Sequence, residues 1–279
     1  MKVAIVGLGL IGGSLARDLA AAGHQVLAYD RDDRALRAAR RAKVIVGVLP
    51  ATLDGAERCD VCVIAVPVDA TIAVLRRAAT TLGQVPLVTD VGSTKASIMR
   101  AARSVGLAHC FVGAHPMAGD HTSGWRASRA GLFAGQLVYV TSGSGTNTAT
   151  LRRAQRFWRI VGARTIRIDA RAHDRLLAAT SHLPQVTATA LAAVLADQAI
   201  PRSALGRGGR DATRLAASSP AVWTPILANN RQNVVPAIRT LVRALEAAAR
   251  AIDSEDRRAL GAFFRRSETW ARSTTGRPL

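Results

Sequence analysis

The chain has 279 residues, enough for one large domain or two ordinary ones, and its 49% apolar content supplies a sizeable core. No stretch is apolar for long enough to span a bilayer, which argues against a membrane partner. The formal charge is +19, carried almost wholly by arginine, because Lys2, Lys43 and Lys95 are the only lysines. These arginines are scattered along presumed helix faces, with no dense basic block interleaved with aromatics. They read as solvated surface with a share serving anionic small molecules, and no nucleic acid is expected as a partner.

The chain opens on MKVAIVGLGLIGGS. Val3 to Val6 form an apolar run of strand type, followed by Gly7, Gly9 and Gly12 and then an Ala/Leu-rich helix. This is a G-x-G-x-x-G fingerprint with a strand before it and a helix after it. Gly7 serves the tight turn, Gly9 lets the backbone approach a pyrophosphate, and Gly12 lets the helix pack on the strand. The helix N-terminus then offers free N–H groups to the phosphates, so Leu10 and Ile11 belong to the same cofactor-binding set. A second strand, residues 25–29, ends in Asp30 at about the 20-residue spacing expected for a ribose-binding acid. A carboxylate there accepts from ribose hydroxyls and repels a 2′-phosphate, which favours NAD. The neighbouring Arg31 and Arg34 leave NADP open.

Strand signals continue at residues 61–66, 86–89, 111–113 and 136–141, with helices between them, of which 70–81 is the clearest. The alternation predicts an α/β, doubly wound, mostly parallel sheet of Rossmann type. Val66 and Pro67, at the end of the 61–66 strand, are expected at the cofactor. Cys59 and Cys62 lie in a buried strand without a second metal-spaced pair, so they read as structural thiols with no metal, in a reducing cytoplasm. Lys2 before an apolar run imitates a secretory signal, but no convincing cleavage site follows and the glycines suit the fingerprint better. The polar loop SGSGTNTAT leads into the helix LRRAQRFWRIVG, and residues 164–168 suit a last edge strand.

From Asp169 the strand signals vanish. Residues 170–199, 220–252 and 254–273 form long Ala/Leu/Val-rich stretches, with Asp253 or Ser254 as a cap for the last. The expected division is therefore a dinucleotide-binding domain over 1–168 and an all-α domain over 169–279. The helices are apolar around much of their circumference, which suggests burial against a second copy as well as the core. The tail from Ser273 is expected to fray.

Four further segments carry chemistry. TDVGSTK follows a strand, so Ser93 lies at the sheet edge where open α/β proteins bind ligands; it either caps the next helix or serves a ligand. GAHPMAG holds His115 between glycines and next to Pro116, which predicts a loop position for a proton-accepting imidazole. SHLPQ places His182 and Gln185 in a long helix that Pro184 must bend. GGRDATRLAAS, with Trp223 beyond it, offers Arg210 and Arg214, which suit carboxylate recognition or else form surface ion pairs.

Taken in this order, GLGLIGGS, TDVGSTK, GAHPMAG with its trailing SGW, SHLPQ, and GGRDATRLAAS with Trp223 resemble the prephenate/arogenate dehydrogenase family of tyrosine biosynthesis. The resemblance runs from residue 3 to about residue 231. It implies an oxidative decarboxylation in which a cyclohexadienyl substrate gives a hydride to the nicotinamide and loses its ring carboxylate. It implies that His115 takes the proton of the C4 hydroxyl and that Ser93 orients the two. It also implies that Arg214 binds a substrate carboxylate, that His182 lines the substrate side, and that Trp223 packs near the pocket. Many members read SHLPH; Gln185 stands in the last position here. A neutral amide facing the substrate side chain favours arogenate mildly, because a possible repulsion of its ammonium is gone. Two rival readings share the nucleotide fold: a β-hydroxyacid dehydrogenase or imine reductase, and a non-catalytic NAD-binding regulator.

Overall fold

A computed structural model describes residues 1–119 and 122–273. The tail expected to fray lies outside the described residues from position 274 on. The strands are β1 (Lys2–Val6), β2 (Gln25–Tyr29), β3 (Gly47–Val48), β4 (Val61–Ile64), β5 (Val88–Asp90), β6 (Phe111–Pro116), β7 (Leu137–Ser142) and β8 (Arg164–Arg167). The helices of this part are α1 (Leu10–Ala21), α2 (Asp33–Arg41), α3 (Val68–Arg77), α4 (Ala79–Leu82), α5 (Ala96–Ser104) and α6 (Thr148–Ile160). The remaining ones are α7 (Ala170–Leu177), α8 (Leu183–Asp197), α9 (Arg207–Ala212), α10 (Pro220–Asn229), α11 (Arg231–Asp253) and α12 (Arg257–Arg272).

Among the described residues the strands form one eight-stranded sheet in the order β3-β2-β1-β4-β5-β6-β7-β8. All pairs are parallel except β6 with β7. The strand order reverses between β1 and β4, the place where such sheets bind ligands beyond their carboxyl ends. One apolar cluster packs α1 and α6 on one side, around Ile5, Leu15, Phe133 and Trp158. Another packs α3 and α5 on the other, around Ile64, Leu75, Ile98 and Phe111. Both faces of the central strands are therefore covered, as a parallel sheet requires. The free thiols of Cys59, Cys62 and Cys110 are buried, Cys62 and Cys110 beside parallel-sheet neighbours rather than at a surface.

Several local expectations need correction. His115 lies within strand β6, not in a loop, because β6 stays paired with β7 through Pro116. The two-residue β3 was not foreseen, being too short to leave a pattern. The stretch 170–199 is not one helix: α7 passes through a π-helical turn, Ala178–His182, before α8. Pro184 has no N–H to give to the preceding turn, and the chain widens there to accommodate it. The cap of α12 is Asp256, which accepts from Ala259 N at 2.9 Å, rather than Asp253 or Ser254.

The chain comprises two compact units, Met1–Arg231 and Gln232–Leu279. In the second, α12 has no buried residue, and Leu245, Ile252, Phe264 and Trp270 are exposed. No helix among the described residues is long and apolar enough to cross a membrane.

Candidate active site

The glycine loop is built as its sequence demands. Gly7 takes φ +95°, and a Cβ there would sit 2.5 Å from the backbone oxygen of Ala65. A Cβ on Gly12 would meet the Gly7 oxygen at 1.9 Å, so both positions exclude any side chain. Gly9 differs, with nothing within 4 Å of its missing Cβ. It faces open space at the start of α1, whose N-terminus has no side-chain cap. Uncapped N–H groups beside an open glycine fit a pyrophosphate. Leu10 is buried and Ile11 half-buried at this turn.

Asp30 follows β2 and laces the loop. Its Oδ2 accepts from Leu8 N at 2.5 Å and its Oδ1 from Asp32 N at 2.8 Å. Each carboxylate oxygen keeps a second lone pair, so the residue still fits a ribose hydroxyl. Arg31 is exposed beside it, while Val66 is half-buried and Pro67 exposed at the turn after β4. The SGW segment packs on α1: the Arg17 guanidinium lies 4.4 Å from the centre of the Trp125 ring, and its Nε donates to Ser128 Oγ at 3.0 Å.

The second half of the site starts from Asp90, the last residue of β5. Backbone pairing of β5 with β6 ends at Thr89 and Val112. Beyond it, Asp90 Oδ1 accepts from Ala114 N at 3.1 Å, and Lys95 Nζ donates to Ala114 O at 2.7 Å. Lys95 also pairs with Asp90, both side chains being fully buried. Two side chains thus take the place of a neighbouring strand and carry β6 on to His115. On the other side, His115 pairs with Tyr139 of β7.

The His115 imidazole is buried, and its Nδ1 lies 2.9 Å from His173 Nε2. His173 Nδ1 lies 2.9 Å from Asp174 Oδ1. The Asp174 carboxylate also accepts from Lys95 N at 2.7 Å and Ala96 N at 2.9 Å. It therefore caps α5, which has no acid in its first turn. Ser93 does not cap this helix; it is half-buried in the loop between β5 and α5, and its hydroxyl is unbonded among the described residues.

His182, in the π turn, is buried and joins the same network. Asn230 Nδ2 donates to the Asp174 backbone oxygen at 2.7 Å and lies 3.0 Å from His182 Nδ1. Among the described residues His182 Nε2 has no partner. With its Nδ1 accepting, the neutral ring carries its proton on Nε2, an orphaned donor that costs about 1–3 kcal/mol without a ligand or water. Trp223, half-buried in α10, meets the His182 ring edge-on at 5.9 Å between centroids.

Electrostatics keep these imidazoles neutral. Burial holds His115 well below the ordinary histidine value, and the Lys95 ammonium, like any proton on His173 or His182, pushes it the same way. Burial also lowers His173, against the pull of its bond to Asp174. It lowers His182 to about 4. For Asp174, burial pushes upward, but bonds from His173, Lys95 N and Ala96 N more than offset it and hold the acid low. Burial lowers Lys95, with Asp90 pulling it back.

Gln185 is buried in α8 and its amide is committed inside the protein. Nε2 donates to Leu215 O at 2.8 Å, and Oε1 accepts from Ser218 Oγ at 3.2 Å. These bonds grip both ends of the 3₁₀ turn Arg214–Ala217. Arg214 at its start and Arg210 on α9 are exposed, and neither side chain has an ion pair or hydrogen bond among the described residues. The surface ion pair of this region is made instead by Arg207 and Asp211, at 4.0 Å.

The structure therefore brings His115 and His182 into one network, with Trp223 against it. It ties Gln185 to the Arg214 turn and places the glycines with Asp30 at the strand-order reversal. Asp90, Lys95, His173, Asp174 and Asn230 complete the site without having been singled out in the sequence. The one signal for the histidine–acid pair is its adjacency in a helix whose neighbours are Ala, Arg and Leu.

Comparison with known proteins adds to this geometry. Residues 15–167 match the family model "Prephenate dehydrogenase, nucleotide-binding domain", and 169–266 match "Prephenate dehydrogenase, dimerization domain". The chain is 31% identical over 273 residues to cyclohexadienyl dehydrogenase of Zymomonas mobilis, covering 95% of this chain and 93% of that one. It is 31% identical over 272 residues to prephenate dehydrogenase of Lactococcus lactis, covering 94% and 74%. The crystal structure of Aquifex aeolicus prephenate dehydrogenase with hydroxyphenyl propionate and NAD+ superposes with a TM-score of 0.88 at 28% identity, covering 97% of both chains.

Proposed function

The chain belongs to the prephenate dehydrogenase family, and from that premise we propose that it oxidatively decarboxylates prephenate or arogenate with NAD. The products are 4-hydroxyphenylpyruvate or tyrosine, respectively, with carbon dioxide. The observation that carries this reading is a buried His115, held below the ordinary histidine value by that burial, on the same sheet as an open glycine loop.

Gly7, Gly9, Gly12 and the N–H groups of the first turn of α1 hold the pyrophosphate. Asp30 takes the ribose hydroxyls and favours NAD, while Arg31 flanks it. Val66 and Pro67 border the cofactor beyond β4. When bound, NAD supplies the acceptor for the hydride that leaves C4 of the substrate ring.

His115 takes the proton of the C4 hydroxyl as that carbon becomes carbonyl-like, within the 10²–10⁴-fold range of general base catalysis. Ser93, with its hydroxyl unbonded among the described residues, orients that hydroxyl. The ring carboxylate leaves as carbon dioxide, its bonding electrons entering the ring as it becomes aromatic, and the oxygen on C4 takes its proton back to end as the phenol. Arg214, with Arg210 nearby in sequence, binds a substrate carboxylate through charge-assisted N–H donors that are unoccupied among the described residues. The orphaned His182 Nε2–H donates to the substrate, and Trp223 walls this side. Gln185 acts on the substrate through the turn it grips.

The helical segment 169–279 forms the substrate and dimerisation domain. Two copies pair through the C-terminal helices, a reading supported by the exposed apolar side chains of α11 and α12 and by the name of the matched domain. Three free thiols suit a reducing cytoplasm. Steady-state turnover of prephenate and of arogenate, each with NAD and with NADP, tests the assignment; no turnover in any of the four pairings overturns it.

A further inference from the structure

The hydrogen bonds around His115 determine where its single proton resides. Two donors on the Asp174 carboxylate are backbone N–H groups, of Lys95 and Ala96, which can only donate. The carboxylate is therefore an acceptor, and His173 Nδ1, 2.9 Å from Oδ1, carries a proton toward it. A neutral imidazole has one N–H, so His173 Nε2 is left with a lone pair. His115 Nδ1 lies 2.9 Å from that lone pair and must donate to it. The opposite tautomer of His115 would set two lone pairs against each other in a buried site. Its Nε2 is consequently bare.

We propose that Asp174 and His173 are positioning residues for the base: through two successive hydrogen bonds they fix the His115 proton on Nδ1 and present Nε2 to the substrate hydroxyl. The inference rests on His115 being the base. The anchor of the chain is rigid, because the carboxylate that starts it also caps α5. Tyr139 of β7 meets the His173 ring edge-on at 5.6 Å between centroids and limits its rotation. When Nε2 takes the substrate proton, the new imidazolium keeps its Nδ1–H bond to His173, whose own N–H points to Asp174. The charge is stabilised along this line while only the Nε2 proton has moved. The titratable and charged groups that face His115 are the Lys95 ammonium and the neutral rings of His173 and His182, and Asp174 supplies the opposing charge through His173.

The direct test is the histidine tautomer in the native enzyme, read from nitrogen chemical shifts of protein labelled with ¹⁵N-histidine. The expected result is His115 protonated at Nδ1 with Nε2 bare; protonation at Nε2 in the resting enzyme overturns the proposal. Kinetics give a second readout. His173→Leu should lower kcat by about 10²-fold, with KM for substrate and the Kd for NAD little changed. His173→Gln should recover much of the loss, since one amide can accept from His115 and donate to Asp174. Unchanged kcat in His173→Leu overturns the proposal, and where that variant fails to fold the native tautomer decides. A native enzyme with the expected tautomer but no turnover of prephenate or arogenate would defeat the substrate assignment and leave the positioning chain standing.

Discussion

Lys95 Nζ donates to the backbone oxygen of Ala114 at 2.7 Å, and so holds the residue that precedes His115. The same ammonium pairs with Asp90, whose other oxygen takes the Ala114 N–H. One buried ion pair thus secures both backbone groups of a single residue, on the side of β6 where β5 has already ended. This sets the depth and direction of His115 more firmly than a loop could.

Removing that ammonium should therefore be costly in two ways. Lys95→Met leaves the Asp90 carboxylate buried without its charge partner, and breaking such a pair costs about 3–5 kcal/mol. Urea unfolding should show a loss of that order. Because the Ala114 carbonyl also loses its donor, kcat should fall with it. A variant of native stability would show that the pair does not support β6.

The pH dependence follows from burial. His115 is held well below the ordinary value of 6.5, so its basic form persists as the solution becomes acidic. The acid limb of kcat/KM should lie below pH 6.5, where a solvent-exposed histidine would already be protonated. Stability has the same direction. His115, His173 and His182 all titrate below their unfolded value of 6.5, so the unfolded chain binds more protons once the pH falls beneath it. The stabilisation is complete above that pH and is lost towards the folded values, about 4 for His182. Thermal melts between neutral pH and pH 4 should show a falling Tm, with a shallower fall in His182→Gln.

Arg214 and Gln185 should behave as one unit. Arg214→Ala removes binding shared by ground and transition states and should mainly raise KM. Gln185→Leu frees both ends of the Arg214–Ala217 turn and should raise KM in the same sense, with a smaller effect on kcat. The two changes in ΔG should not add, since both act on one guanidinium.

Much of this site is written locally. The glycine loop, Asp30 and the SHLPQ segment declare themselves because each needs special residues within a short span. His115 was legible as a residue but not in its setting. The strand that holds it is extended by Asp90 and Lys95, and no hydrophobic alternation records that. His173 and Asp174 were not legible at all: their partners are His115 and the N-terminus of α5, which lie 58 and 79 residues away along the chain. An ordinary-looking His-Asp on a helix reaches His115 only after the helix docks. The break in residues 170–199 was foreshadowed by Pro184, but its form, a π turn that carries His182, depends on how the chain relieves the missing N–H. Gln185 was read as facing a ligand because of its place in a motif. Its amide is instead satisfied by the backbone of a turn some thirty residues on, a contact no local pattern encodes.

The most direct test of the account counts NADH and carbon dioxide together when the chain is given NAD and either prephenate or arogenate, alongside the His115→Asn variant. Equimolar NADH and carbon dioxide are expected from the native chain. A loss of about 10²–10⁴-fold in kcat is expected for the variant, with NAD affinity retained. No NADH from either substrate, or undiminished turnover by His115→Asn, would contradict it.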